Sequence, residues 1–379
     1  MVIFGANEVR WFMPTGGDYT YLIVYLITLM AFMFMWLFFG QKYQVYMWLR
    51  DAERATLKLE AMAKKGKEIL INAIKELGKP DKDPSEEVEK FMDFFVIEPV
   101  DRDPFGVLKR LEHLLDVERE KFKDVVARVA PKASDEERAN LESSFAATWA
   151  VNYVYKVVRH YTLLGKKTKS MLVLMQIVYS LPIIMRLAEA YFNSLDAFTK
   201  GKPIGDSVGP MVAAKLMKGY PCKNIGDEMV AAEVPFEGRL LVIVKAEGPG
   251  GRVGKPGEAI AKLAQQYKDR LKRIITIDAA VKMEGESSGQ IAEGVGAAIG
   301  DPGPEKYKIE QVALELGVGL DAVIIKQALE EALSTMRKEL AEAVDKAVEV
   351  VKRIVREKVA EGGVVIIAGI GNTIGVGNG

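Results

Sequence analysis

The sequence predicts one transmembrane helix, an all-α middle domain and a C-terminal α/β domain built on a mostly parallel sheet. Three observations carry this reading. Tyr19 to Phe39 reads YTYLIVYLITLMAFMFMWLFF, 21 residues without a charge, about the length that crosses the roughly 30 Å hydrocarbon layer as a helix. From Gln41 to about Thr199 the pattern is mainly helical, one amphipathic stretch following another. After TKGKPIGDSVGP the texture changes, and short β-branched runs alternate with amphipathic helices, as in a parallel sheet covered on both faces. The resulting divisions are a short extracytoplasmic N-terminus at 1–18, the span at 19–40, a helical cytoplasmic domain at 41–200 and the α/β domain at 201–379.

The apolar segment reads as a span and not as a cleaved signal peptide. A signal peptide has a basic start and a shorter apolar run ending at small residues, whereas this stretch follows Asp18 and ends in large aromatics. Glu8, Arg10 and Asp18 precede it, and Lys42, Arg50, Arg54, Lys58, Lys64, Lys65 and Lys67 follow it. The positive-inside rule then places the N-terminus outside the cell membrane and the rest of this single-pass chain in the cytoplasm. Trp36, Tyr43, Tyr46 and Trp48 are the expected interfacial belt.

Composition narrows the chemistry. Lys plus Arg and Asp plus Glu both total 52, so charge gives no reason to expect a nucleic-acid partner. Cys222 is the only cysteine, which excludes internal disulfides and cysteine-based zinc sites. The two histidines, His113 and His160, stand alone on expected helices and read as surface or core residues. No metal and no cofactor is expected. The expected partners are membrane lipid along 19–40, a protein or peptide substrate, and a second copy of the chain.

Within the middle domain the span should continue as a helix to about Leu77, ending at the loop GKPDKDPSEE, where Asp83 or Ser85 is placed to cap the next helix. FFVIEPVDRDPFG, Phe94 to Gly106, reads as an apolar strand or extended segment, with Asp103 capping the helix that follows. Ser134 with Glu137 three residues on is a capping box, and a long helix should follow it. Met171 to Leu195 is apolar enough to resemble a second span. Its Gln176, Pro182, Arg186 and Glu189 argue instead for a buried or membrane-apposed helix kinked at Pro182.

In the α/β domain, Arg239 to Ala246, Arg273 to Ala279, Asp321 to Lys326 and the terminal VVIIAGI read as strands. PGEAIAKLAQQYKDRLKR and the stretch from about Leu329 to Val359 read as helices. Ligands of such sheets bind beyond the carboxyl ends of the strands. Asp206 opens a helix and Asp278 ends a strand, so both belong at that edge, as N-cap and loop ligand or as a proton-sharing pair. Lys282, Glu284, Glu286 and Lys326 follow strands at the same edge and are candidates to line a pocket there.

Three glycine-rich loops invite a phosphate reading. GPGGRVGK lacks the first glycine of a P-loop, which falls on Pro249, and has Pro256 where the magnesium-binding hydroxyl belongs. Its Gly250 and Gly251 amides still suit an anion or an oxyanion. GVGAAIG (Gly294 to Gly300) and GIGNTIG (Gly369 to Gly375) lack the Rossmann context, and no helix follows the second, so a nicotinamide cofactor is not expected.

Over nearly its full length the chain resembles an archaeal family of membrane-anchored proteins known as domain of unknown function 1512. Its C-terminal half, roughly Gly201 to Gly379, also resembles the phosphorylase/hydrolase-like fold of the spore germination protease and the hydrogenase maturation endopeptidases. The motifs are GIGN (Gly369 to Asn372), DSVGP (Asp206 to Pro210) and IDA (Ile277 to Ala279). In those proteins the GxGN strand comes first, whereas here it comes last, so the resemblance implies a circular permutation, tolerated where termini lie close. It also implies aspartate-type hydrolysis of peptide or amide bonds. One of Asp206 and Asp278 would activate water and the other protonate the leaving amine, with amides near Gly250 or Gly371 holding the oxyanion. The loop glycines Gly369 and Gly371 and Asn372 belong to this site, and loss of the last eleven residues should impair it. No histidine follows His160, which disfavours the nickel-gripping maturation chemistry and the histidine-dependent peptidyl-tRNA hydrolase of the same general fold. The alternatives are a non-enzymatic membrane scaffold or small-ligand sensor, and a nucleoside- or phosphate-handling enzyme on the related fold.

Overall fold

One helix, α1 (Thr20–Ala73), carries the chain from the apolar segment into the middle domain without a break. Its 54 residues make a rod of about 80 Å at the usual rise per residue. The computed structural model describes residues 19–97, 99, 106–300 and 303–379, the side chains at 37 and 38 excepted. The expected extracytoplasmic segment and the Asp103 cap lie outside these residues. Side chains of α1 are exposed throughout its most apolar window, and they become periodic and half-buried from about Val45 onward.

The lower part of α1 packs with α4 (Asp135–Thr168) and α5 (Met171–Thr199). Ala52, Leu59, Val151, Val158, Ile177 and Leu181 form one core of this bundle. A second core lies where α1 ends in a π-turn, Ile74–Gly78, and joins α2 (Ser85–Phe91) and α3 (Val107–Val129). There Phe91 meets Phe122 and Phe145 edge-on, with centroids 4.7 and 5.6 Å away. Asp83 accepts the Ser85 amide at 3.0 Å ahead of α2. The capping box opens α4 as expected: Ser134 accepts the Glu137 amide, and Glu137 reaches back to the Ser134 amide at 2.7 Å. Helix α5 continues through Pro182, burying Leu174, Ile177 and Leu181 while Leu172, Tyr179 and Ile183 stay exposed. Among the described residues, α1 and α5 are the two helices long and apolar enough to cross a membrane.

The α/β domain is a seven-stranded sheet with strand order β1-β2-β3-β7-β4-β6-β5. The strands are β1 (Cys222–Gly226), β2 (Met229–Phe236), β3 (Arg239–Ala246), β4 (Leu271–Val281), β5 (Ile291–Val295), β6 (Gly319–Gln327) and β7 (Val364–Gly369). β3, β7, β4 and β6 run parallel, and antiparallel strands flank them on both sides. The last strand therefore occupies the middle of the sheet. Alternation along these strands sends Ile243, Ile275, Ile277, Val365 and Ile367 toward α6 (Val208–Met217) and α10 (Lys338–Lys358), and Val242, Val244, Ile274 and Ile366 toward α7 (Pro256–Gln266) and α8 (Pro304–Leu316).

Two expected helices differ in extent. The helix from Pro256 ends at Gln266, and Leu271 to Arg273 belong to β4, where Leu271 is buried under α7. The long helix from Leu329 is divided into α9 (Leu329–Leu333) and α10. Between them the backbone is spent on the chain at 203–205: Gly205 donates to the Ser334 carbonyl at 3.1 Å and Met336 to the Pro203 carbonyl at 2.7 Å. Strands β1, β2 and β5 and helix α8 complete the sheet beyond the elements read from the sequence.

The two domains meet along α3, α4 and α5. Glu112, Asp116, Arg119 and Lys123, spaced along one face of α3, bond to Lys308 (2.6 Å), Lys255 (2.8 Å), the Gly254 carbonyl (3.4 Å) and Glu228 (2.5 Å). Glu142 on α4 faces the same seam, and burial pushes its carboxyl up to about 7.

Candidate functional site

The carboxyl ends of β7 and β4 are held together by the chain that leads into α6. Beyond β7 the Ile370 amide donates to the Ile277 carbonyl at 2.8 Å. Gly209, in the first turn of α6, lies directly on this junction: a Cβ there would stand 2.2 Å from the Ile370 carbonyl oxygen and 2.5 Å from that of Ile277. Only a glycine lets the helix approach so closely. The short 3-10 turn Gly205–Ser207 before α6 is thereby fixed over the same strand ends.

Asp206 sits in that turn and Asp278 near the end of β4. Asp206 is half-buried, and its Oδ2 accepts the Asn372 amide at 2.8 Å. Asp278 is 5% exposed and accepts the amide of Ala279 at 2.7 Å. Burial holds both carboxyls above the ordinary carboxylate range, although the Asn372 hydrogen bond draws Asp206 partly back. Asp278 is raised well above it, by burial first and by the negative charge of Asp206 second. The two groups thus feel each other. A pair in this state holds one proton readily and two charges poorly, which suits one member to accept a proton while the other donates one.

The GIGN loop is shaped around Asp206. Gly371 has φ +127°, and a Cβ there would lie 2.2 Å from the Asp206 carbonyl oxygen. A Cβ at Gly369 would lie 2.4 Å from the Gly209 carbonyl oxygen. Asn372 holds its own turn by accepting the Ile374 amide at 2.9 Å. The chain beyond it is structured as well. Thr373 is fully buried, with its hydroxyl 2.8 Å from the Gly250 carbonyl and within 3.0 Å of those of Glu247 and Arg252. Asn378 accepts from the Lys245 ammonium at 3.0 Å and from the Gly248 amide at 2.9 Å. Burial pushes Lys245 down to about 8, against the opposing pull of Cys222 and Glu247.

Gly250 and Gly251 lie against the helical domain. The Gly251 amide donates to Asn140 Oδ1 at 2.9 Å, its carbonyl accepts from Ser143 at 3.2 Å, and a Cβ on Gly250 would touch Ala139 at 2.9 Å. Within this loop the glycines serve contact with α4, and the Gly251 donor is occupied. Lys282 and Glu284 line a cavity of about 220 Å3 with Ile183 and Arg186 of α5. Glu286 and Lys326 instead pair with each other beside it, and Lys282 donates to the Glu286 carbonyl at 3.1 Å. A second hollow of about 230 Å3, between β1, β2 and the end of α7, contains none of these residues. Among the described residues no three His, Cys, Asp or Glu side chains are grouped to hold a metal ion.

Two further residues lie at the Gly205–Ser207 turn. Ser207 and Gln327 are 0% and 1% exposed, and among the described residues the Ser207 hydroxyl and both polar atoms of the Gln327 amide have no hydrogen-bond partner. Gln327 ends β6, and a Cβ on Gly205 would stand 2.5 Å from its Oε1. Buried polar atoms left unbonded are costly, and these two lie at the turn that carries Asp206. Only their positions hint at them in the sequence: Ser207 follows Asp206, and Gln327 follows the strand DAVIIK.

No curated protein matches the chain. Residues 25–201 match the family described as "Protein of unknown function (DUF1512) N-terminal domain". Residues 204–377 match "Domain of unknown function (DUF1512) C-terminal". With these two matches covering both domains in order, the chain belongs to the DUF1512 family.

Proposed function

We propose that this protein is a membrane-anchored hydrolase of peptide or amide bonds in which Asp206 and Asp278 form the catalytic pair. The observation that carries the reading is their electrostatic coupling at the carboxyl ends of the central strands, with both carboxyls raised by burial. In this scheme Asp278, the more deeply buried of the two, holds the shared proton. Asp206 takes a proton from water, whose oxygen attacks the amide carbonyl carbon. Asp278 delivers its proton to the amide nitrogen as the C–N bond breaks, so the products are a carboxylic acid and an amine. Because Gly251 donates to Asn140 and the Asn372 amide serves Asp206, the oxyanion role in this scheme is left to the amides of Gly250 or Gly371.

The resemblance to the germination protease fold supports the same assignment. A strand that ends in GIGN and comes last in the chain lies between β3 and β4, beside the DSVGP turn, which suits a permuted version of that fold. The exposed apolar half of α1 serves as the membrane span, with the N-terminus outside and both domains in the cytoplasm. The test is hydrolysis of a peptide library by the detergent-solubilised full chain. Turnover in the wild type that is lost in Asp206→Asn and in Asp278→Asn supports the reading, and full turnover in both variants contradicts it. The unpartnered Ser207 and Gln327 favour a second reading, a ligand-binding sensor on the same site. That reading predicts thermal stabilisation by the ligand without turnover.

A further inference from the structure

The turn between α4 and α5 lies unusually close to the end of the apolar segment. Two contacts set the register of α5 on α1. Lys58 bonds Glu189 at 2.5 Å, and Trp48 meets the Tyr179 ring edge-on at 6.1 Å. Both pairs have the same sequence offset, 131, and the helices run in the same direction. Carried back along the two helices, this register sets Met171 and Leu172 level with Gly40 and Gln41, immediately past the last residue of the apolar run, Phe39. Consistent with this, Met171 joins Trp36, Gly40, Tyr43 and Met47 in lining a groove of about 600 Å3.

The turn is also built to be presented rigidly. Ser170 caps α5 by accepting the Val173 amide, and its own amide donates to Thr168 at 3.3 Å. Gly165 lets α4 close onto Leu174, since a Cβ there would stand 2.5 Å from the Leu174 side chain. At the tip, Leu172 is 72% exposed, and Lys167 and Lys169 are exposed with no carboxylate partner among the described residues. Lys166 by contrast is paired with Glu53 at 2.7 Å. Leu172, level with the end of the apolar run, thus stands exposed beside two free lysines of the same turn, a grouping that matches the chemistry of an anionic bilayer surface.

We propose that the α4–α5 turn is a second membrane contact, in which Leu172 and Met171 enter the headgroup boundary and Lys167 and Lys169 engage anionic phospholipids. This rests on α1 being a membrane span. It would hold the helical bundle upright against the bilayer and fix the height of the α/β domain.

The test uses the full chain in a Cys222→Ser background, reconstituted into phosphatidylcholine vesicles with and without phosphatidylglycerol. An environment-sensitive fluorophore is attached at Leu172→Cys, at Ile27→Cys within the apolar run, or at Leu57→Cys, which lies about 25 Å further down α1 than Gln41, the level of Leu172. Lipids carry nitroxide quenchers at shallow or deep positions. The expected result is quenching of the position 172 probe by shallow nitroxides, stronger with phosphatidylglycerol, and none at position 57. Lys167→Glu with Lys169→Glu should lower the docked fraction's ratio about fivefold or more per lysine. An unquenched probe at 172 beside a quenched one at 27 overturns the contact and leaves the span standing. An unquenched probe at 27 overturns the span and the contact with it. Shielding of the 172 probe that rises with protein concentration in detergent, without lipid quenching in vesicles, assigns the face to a second copy of the chain and also overturns the proposal.

Discussion

The backbone N–H of Asn372 donates to the Asp206 carboxylate at 2.8 Å, across 166 residues of chain. That bond joins the end of the protein to the beginning of its α/β domain. It exists because β7, last in sequence, runs in the middle of the sheet, and because Gly209 and Gly371 remove the side chains that would hold the two loops apart. The candidate site is therefore assembled from both ends of the domain.

Gly371→Ala should accordingly disrupt the site, since it adds a Cβ 2.2 Å from the Asp206 carbonyl oxygen at a backbone angle of φ +127°. Gly377→Ala, where a Cβ meets nothing within 4 Å, is the matched control. Thermal unfolding of the two variants in detergent should show a clear loss of stability for the first and about wild-type behaviour for the second.

Asp278→Asn should stabilise the fold at neutral pH. The folded-state pKa of Asp278 is raised, so its contribution is fully present below the unfolded carboxylate value near pH 4 and is lost as pH rises through the folded pKa. Each unit of that shift corresponds to about 1.4 kcal/mol. An asparagine cannot ionise, so the variant's advantage should be plain at neutral pH and fade toward pH 4. Melting curves across that range check the sign. A variant that is less stable at every pH would mean that the carboxylate is structurally required.

Asn378→Ala removes the side-chain acceptor for both the buried Lys245 ammonium and the Gly248 amide. Loss of a partner for a buried donor costs about 1–3 kcal/mol. Denaturant unfolding should show that loss, and removal of residues 370–379, which include the buried Thr373 and Ile374, should cost more.

Asn140→Ala takes away the acceptor for the Gly251 amide and should weaken the seam between the domains by about 1–3 kcal/mol. Limited proteolysis near residue 201 should become faster, while the candidate carboxyl pair, which does not touch Asn140, keeps its pH behaviour.

Much of this architecture is legible in the sequence because its central strands are buried on both faces. RLLVIVKA, RIITIDA and VVIIAGI are nearly unbroken apolar runs for that reason. The edge strands β1 and β5 are mostly exposed and carry no such pattern. The interruption at Ser334 to Arg337 is set by backbone bonds to Pro203 and Gly205, far away in sequence. The same holds for the site. Asp206 and Asp278 are visible as acidic residues at element ends, but their coupling depends on where β7 inserts. Gly250 and Gly251 read as an anion loop only while α4 is out of view. Ser207 and Gln327 become candidates only when their burial is known.

The most direct test of the central claim is hydrolysis of a peptide library by the full chain in 18O-labelled water, followed by mass spectrometry. The account predicts 18O in the new carboxyl termini, at a rate that falls by orders of magnitude in Asp206→Asn and in Asp278→Asn. Label incorporation that persists unchanged in both variants, or wild-type protein that incorporates none, would contradict it.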